Sequence, residues 1–274
     1  MDIQMIALDL DGTALLSDSK TMSPPLLPVL EEAHRRGVHI VPVTGRQFKL
    51  LPPFFQTHPE WEEYAVLCNG SQVRKLADGE LLHGLFLPED VLRALLEIAQ
   101  RYGVAAEFSI NSKLHLTAQS LALLREEPSL RFHRDTILKH NGVIEDTLEP
   151  LCSQQVEKVN LICLPAALQE PVLREVQKLP VSAVRASAIT IETTHPEATK
   201  GAGIARVCKL LNIQPENVMA LGDSGNDLTM LKSAGLGVAM GNAPDFVKAA
   251  ADAVTESNEK DGAALAIERY VLNR

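Results

Sequence analysis

Short apolar runs alternate with longer amphipathic stretches along most of the chain. Met5-Ile6-Ala7-Leu8 is an apolar run without a polar face, the pattern of a strand buried in a parallel sheet. Ser23 before Pro24 reads as an N-cap followed by a first-turn proline. Leu26, Leu27, Val29, Leu30 and Ala33 then recur at helical spacing, and Gly37 stops the helix. Residues 38–43 form the next apolar strand, so the chain opens with a βαβ unit and a parallel sheet. A third run, residues 65–68, ends at Asn69-Gly70-Ser71, and residues 73–75 and 81–83 flank Ala77-Asp78-Gly79 as a hairpin.

From about Leu87 the pattern changes. Glu89–Tyr102 is an amphipathic helix closed by Gly103, and residues 104–110 and 113–117 are strands joined at Asn111-Ser112. Residues 120–149 carry no clear period. A strand at 156–164, a helix at 166–179 and a strand at 181–187 follow. After residues 189–193 the first pattern returns. Lys200-Gly201 opens a helix to Leu211, residues 218–221 form an apolar strand ending at Gly222-Asp223-Ser224-Gly225-Asn226-Asp227, and strand and helix alternate to the end. The expected architecture is α/β: a doubly wound, Rossmann-like parallel sheet built from residues 1–86 and 189–274, with an α+β domain inserted at 87–188.

Composition narrows the function. The 274 residues carry a net charge of -9, which argues against nucleic acid or an anionic membrane as partner. An anionic substrate would need a local positive centre. No apolar run reaches the length of a membrane span, and no basic leader with an apolar core precedes the first strand. Cys68, Cys152, Cys163 and Cys208 lie far apart without a C-x-x-C pair, which speaks against zinc or disulfides and for a reducing cytoplasm.

The chemistry concentrates where strands end. Asp9-Leu10-Asp11-Gly12-Thr13 follows the first strand, and ligands of open α/β sheets bind outside the carboxyl ends of the strands. Both carboxylates can point into one crevice while Leu10 turns into the core. Neighbouring carboxylates repel, so they call for a cation or a proton, and both suit phosphoryl chemistry. A calcium loop does not fit, because Ala14 and Lys20 stand where such a loop needs glycine and glutamate. Parallel strands share an edge, so the loops at 9–13, 44–45 and 222–227 can converge. Asp9, Asp11, Asp223 and Asp227 would offer hard oxygen ligands suited to Mg²⁺. Thr44 and Asn226 would offer hydrogen-bond donors, the N–H groups near Gly12 and Gly45 a phosphate cradle, and Lys200 a fixed positive charge. Singly, each has an ordinary explanation: a strand-end hydroxyl for Thr44, a solvated lysine for Lys200, a turn and an N-cap for Asp223 and Asp227. Asn69 and His195 read as loop residues.

Jointly, Asp9-Leu10-Asp11-Gly12-Thr13, Val43-Thr44-Gly45-Arg46, Lys200-Gly201 and Gly222-Asp223-Ser224-Gly225-Asn226-Asp227 resemble the haloacid dehalogenase superfamily of phosphohydrolases. Cys68-Asn69-Gly70-Ser71, the stretch from Met230 through Ala243, Ala251-Asp252 and Asp261-Gly262 resemble its Cof-type branch, whose large α/β insert is a cap. The resemblance implies a Mg²⁺-dependent phosphatase of small phosphorylated metabolites, sugar phosphates or phosphorylated cofactors. It implies Asp9 as the nucleophile that becomes an aspartyl-phosphate. Asp11 would protonate the leaving oxygen and then activate water, helped to keep its proton by neighbouring carboxylates. Mg²⁺ would sit on Asp9, the main-chain carbonyl of Asp11, and Asp223. Thr44, Lys200 and Asn226 would hold the phosphoryl group, and Asp227 would support the metal shell or orient Lys200. Relatives that cleave carbon–halogen or carbon–phosphorus bonds lack the acid found at Asp11. Ala14, where the branch usually has leucine, and the lead-in from His195 to Thr199 depart from its pattern. A phosphotransferase or mutase on the same scaffold, or a catalytically silent binding module, are the alternatives. Glu107, His115 and Arg185 are the cap residues to which specificity could fall.

Overall fold

The computed structural model describes residues 2–57, 63–125 and 127–273. Strands β1 (Met5–Leu8), β2 (His39–Pro42), β3 (Tyr64–Leu67), β4 (Gln72–Lys75) and β5 (Leu81–Gly84) come first in the chain. Next come β6 (Ala105–Ile110), β7 (Lys113–Thr117), β8 (Gly142–Glu145), β9 (Val156–Ile162), β10 (Ser182–Arg185) and β11 (Thr190–Thr194). Then follow β12 (Val218–Gly222), β13 (Leu236–Ala239) and β14 (Ala253–Val254). The chain divides into two compact units, one of residues 1–46, 51–83 and 199–274, the other of 47–50 and 84–198.

The first unit is built on a parallel sheet in the order β14-β13-β12-β1-β2. Its strands read as unbroken apolar runs because helices cover both faces. Met5 and Ala7 pack with Val41, Val66, Ile204, Val207, Val218 and Met230, and Ile6 and Leu8 on the other face are fully buried. Register is what matters for function. Leu8 lies beside both Leu221 and Pro42, so the residues that leave β1, β2 and β12 emerge at one edge. Leu26–Arg35 is the crossover helix between β1 and β2, burying Leu26, Val29, Leu30 and Ala33 as their spacing predicts. Its start differs from expectation. Pro25 occupies the N-cap and no side chain caps the helix, while the Ser23 hydroxyl donates to Asp261. β3, β4 and β5 form a separate three-stranded sheet, with Val43 bridging to Val66.

The second unit is a six-stranded sheet in the order β10-β11-β9-β6-β7-β8, antiparallel except for β7 beside β8. Phe108, Val159, Leu161 and Ile191 face Val91, Leu92 and Leu95 of helix Glu89–Tyr102 and Val172 and Val176 of helix Gln169–Val176. Alternation puts Glu107, Ser109, Lys158, Asn160 and Glu192 on the opposite face, as the pairs Glu107 with Asn160, Ser109 with Lys158 and Glu192 with Asn160 require. One expectation is corrected. The boundary at 189 puts the strand at 189–193 in the domain of the parallel sheet; instead β11 pairs antiparallel with β9 and β10. Its alternating pattern, Ile191 buried between partly exposed Thr190 and Glu192, is that of a two-faced antiparallel strand rather than a fully buried parallel one. The stretch without a clear period contains helix Ala118–Arg125, a short helix Arg131–Thr136 and β8. Among the described residues no helix is long and apolar enough to cross a membrane.

Candidate active site

Asp9 leaves β1 with its backbone N–H still bonded to the Leu221 carbonyl, and only 4% of the residue is exposed. Lys200 is the first residue of helix Lys200–Leu211. Thr199 is the N-cap, its hydroxyl accepting from the Ala202 N–H at 3.1 Å. That cap fixes where the helix begins and so where the lysine emerges. Lys200 is 1% exposed, and its Nζ donates to Asp9 Oδ1 and to Asp227 Oδ1, both at 2.6 Å. Burial alone would pull the ammonium's pKa down, but the charges of Asp227 and Asp9 outweigh it and hold the group protonated.

Asp227 closes the 222–227 loop on itself. Its Oδ2 accepts from the N–H groups of Asp223 at 3.0 Å and Ser224 at 2.8 Å, as the third residue of a capping box led by Ser224. With Oδ1 on Lys200, both oxygens of Asp227 are engaged. Asp223 stands beside it. Thr13 Oγ1 donates to Asp223 Oδ1 at 3.2 Å, and Asn242 Nδ2 reaches Asp223 Oδ2 at 3.4 Å and the Gly12 carbonyl at 2.9 Å. Gly12 has φ +79°, and a Cβ there would lie 2.5 Å from the Asp223 carboxylate, so the loop after β1 approaches β12 this closely only as glycine.

Oxygens of Asp9, Asp223 and Asp227 lie within 4.8 Å of one another. Burial and then the charge of Asp227 push the Asp9 carboxyl well up, against the pull of Lys200, and push Asp223 up to about 6. Fully ionised, three carboxylates facing one ammonium would carry an excess of two negative charges. Hard oxygens with that excess suit a divalent cation such as Mg²⁺, so the residues present fit the metal.

The remaining expected residues fall around this cluster. Thr44 is pinned between strands, its N–H on the Val66 carbonyl and its own carbonyl accepting from Asn69, while its hydroxyl accepts from the Arg46 N–H. Gly45 follows in the same loop. Asn226 Nδ2 donates to Asn69 Oδ1 at 3.1 Å and its Oδ1 accepts from the Ser224 hydroxyl at 2.6 Å. Asn69, read from the sequence as a turn former, is buried with φ +57° and orients Asn226. Asp11 departs from expectation. Its carboxylate is not one of the clustered acids; Arg46 holds it, with Nε 2.8 Å from Oδ2 and a terminal nitrogen 2.6 Å from Oδ1. Arg46 and Asn242 fall within the motifs quoted from the sequence but were given no role there. Arg46 directly follows Thr44-Gly45, and Asn242 leaves β13 by the same edge of the sheet as Asp9, so position was the available signal.

A profile of the haloacid dehalogenase-like hydrolases matches residues 6–267. The chain belongs to this family. It is 30% identical over 276 residues to the 5-amino-6-(5-phospho-D-ribitylamino)uracil phosphatase of Bacillus subtilis, spanning 99% of this chain and 97% of that protein. It is 27% identical over 283 residues to the pyridoxal phosphate phosphatase of Escherichia coli, spanning 99% and 100%. A haloacid dehalogenase-like hydrolase from Bacteroides thetaiotaomicron shares its structure with a TM-score of 0.80 at 27% identity, covering 97% of this chain and 99% of that one.

In the second unit the three residues singled out for specificity all have partners. Glu107, wholly buried, accepts from His133 Nε2 at 2.8 Å and Asn160 Nδ2 at 3.0 Å. His115 Nδ1 lies 2.7 Å from Glu145, and Arg185 pairs with Glu170.

Proposed function

We propose that this haloacid dehalogenase-like hydrolase is a Mg²⁺-dependent phosphatase of small phosphorylated metabolites, acting through an aspartyl-phosphate on Asp9. The observation that carries the reading is the buried Lys200 ammonium, bonded to Asp9 and Asp227 in a cluster where acids outnumber it. Asp9, with Oδ1 on Lys200, presents its other oxygen to phosphorus. The ester P–O bond breaks, its electron pair leaves with the ester oxygen, and Asp11 supplies the proton. Water then attacks phosphorus, Asp11 takes its proton, and Asp9 and inorganic phosphate separate.

Asp9, Asp223 and the main-chain carbonyl of Asp11 would hold Mg²⁺. Bound there, it would offset charge on the transferring phosphoryl group. Lys200, Thr44, Asn226 and the N–H groups near Gly12 and Gly45 would hold the phosphoryl oxygens, with Asn226 already aimed by Asn69 and Ser224. Asp227 keeps Lys200 in place. The second unit is assigned the role of a cap that selects the leaving group. The named substrates of the relatives, a ribitylaminouracil phosphate and pyridoxal phosphate, put phosphorylated cofactor-like compounds beside sugar phosphates as the class to test.

The test is phosphate release across a panel of such esters with Mg²⁺, with Asp9→Asn as control. Turnover of some members, silent in Asp9→Asn, is the expected result. No turnover of any ester would overturn the reading, and phosphate captured by an added alcohol would convert it to a transferase.

A further inference from the structure

Asp11 is the one proposed reacting group held outside the acid cluster, and the way it is held is specific. Its side chain is 44% exposed, while that of Arg46 is 17% exposed. Two guanidinium nitrogens meet two carboxylate oxygens, which fixes the plane of the carboxylate as well as its position. An ordinary exposed ion pair contributes little and holds no fixed geometry. Here the arginine is itself fastened. Its N–H donates to the Thr44 hydroxyl at 3.1 Å, its carbonyl accepts from the Cys68 N–H at 3.0 Å, and a terminal nitrogen donates to the Ser19 carbonyl at 2.7 Å.

The Ser19 carbonyl is no loose anchor. Ser19 has φ +56° in a turn closed by the Leu16 N–H on the Thr21 carbonyl. Asp18 Oδ1 accepts from the N–H groups of Lys20 and Thr21, and Glu259 accepts from both the N–H and the hydroxyl of Ser17. Asn258 Nδ2 donates to the Leu15 carbonyl at 2.9 Å. The fork that grips Asp11 is thus tied to the loop after β2 on one side and to the C-terminal segment on the other.

We propose that Arg46 is the positioning residue of Asp11, setting the direction in which that carboxyl gives and takes its proton. The proposal rests on the reading of Asp11 as the proton donor and acceptor. Arg46 is not itself the proton source, because a guanidinium does not deprotonate at working pH. Its planar fork matches the carboxylate that remains after the proton has gone to the ester oxygen, and keeps it aimed for the attacking water. A lysine would keep the charge and lose the two-point grip.

The test compares kcat/KM, which covers the steps through phosphoryl transfer, for two esters with Mg²⁺. The nitrophenolate of p-nitrophenyl phosphate departs without a proton; the alkoxide of a sugar or glycerol phosphate does not. Arg46→Lys and Arg46→Met should lower kcat/KM for the alkyl ester by roughly 30- to 100-fold and for the aryl ester only a few-fold. Retained aryl turnover also shows that the variants are folded. Asp11→Asn should show the same selectivity, and adding Arg46→Lys to it should cost little more. If Asp11→Asn is selective but the Arg46 variants depress both esters alike, or neither, the positioning role is overturned. If Asp11→Asn is itself unselective, the acid–base reading of Asp11 fails instead.

Discussion

Each unit of this protein buries a knot of acids and bases, and the two knots are balanced differently. In the first, Asp9, Asp223 and Asp227 share a single ammonium, and the carboxyls of Asp9 and Asp223 are pushed up. In the second, Glu107 meets His133 and Lys158 meets Glu192, so with His133 protonated these pairs cancel. Burial alone would raise the Glu107 carboxyl, but the charge and hydrogen bond of His133, with Asn160, bring it below its ordinary value. A balanced buried cluster can be architecture. An unbalanced one lowers stability unless something else supplies the missing charge, which is why it is the candidate place for a cation and an anionic ligand.

The largest expected effect comes from removing one charge on the unbalanced side. Asp9→Asn should reduce turnover by on the order of 10⁴-fold or more, since it deletes the proposed nucleophile. Its stability should move the other way. A carboxyl pushed up in the folded chain keeps a proton that the unfolded chain has released, so stability falls as pH rises past the ordinary aspartate value of 3.8. At neutral pH without Mg²⁺, Asp9→Asn should therefore melt no lower than the parent. The balanced side should answer oppositely. Glu107→Ala strands the His133 ring and the Asn160 amide and should cost about 3–5 kcal/mol, read by denaturant unfolding. A Glu107→Ala protein as stable as the parent would make this cluster, too, a functional one.

The same contrast explains what could be read from the chain alone. The acids of the first unit announce themselves because each stands at the end of an apolar run or the start of a helix. Lys200 at a helix start and Asp223 after β12 were visible in that way. The partners of Asp11 were not. Carboxylates were expected beside it, but the bidentate grip of Arg46 depends on a turn at Ser19 and on the Thr44 hydroxyl, contacts that no local pattern encodes. Glu107 was named as a candidate for specificity, yet its partners come from positions 133 and 160, and only the antiparallel register of β6 with β9 brings Asn160 beside it. The boundary at 189 placed β11 with the core for a related reason. A short run of threonines around Ile191 fits either sheet, and the choice is made by partners far away in the chain.

Supplying the missing charge should sharpen the difference between the units. Mg²⁺ at about 100 times its dissociation constant would stabilise the first unit by about 2.7 kcal/mol, a rise of several degrees in melting temperature. Asp223→Asn should abolish most of that rise, while Glu107→Gln should leave it intact. Equal responses in both variants would mean that the metal does not single out the unbalanced cluster.

The smallest effect is a pH slope that separates the two clusters in one experiment. Burial alone would lower the His133 ring's pKa, but Glu107 outweighs it and raises the ring above its ordinary 6.5; Glu192 adds to the rise and Lys158 opposes it. A raised histidine stabilises fully below 6.5, and that contribution is lost as pH climbs through its higher folded value. Glu107, lowered from 4.5, stabilises above that value and loses its contribution as pH falls through its lower folded one. The second unit should thus be most stable between pH 4.5 and 6.5 and weaken on the alkaline side. The metal-free first unit weakens as pH rises past 3.8, through about 6 for Asp223 and through the raised value of Asp9. Saturating Mg²⁺ should remove the part due to the acids and leave the part due to His133. Melting in Mg²⁺ at pH 6 and pH 8.5 should then differ by a few degrees for the parent and by less for His133→Asn. An unchanged slope in His133→Asn would take the alkaline weakening away from the Glu107–His133 pair and return it to the acids of the first unit.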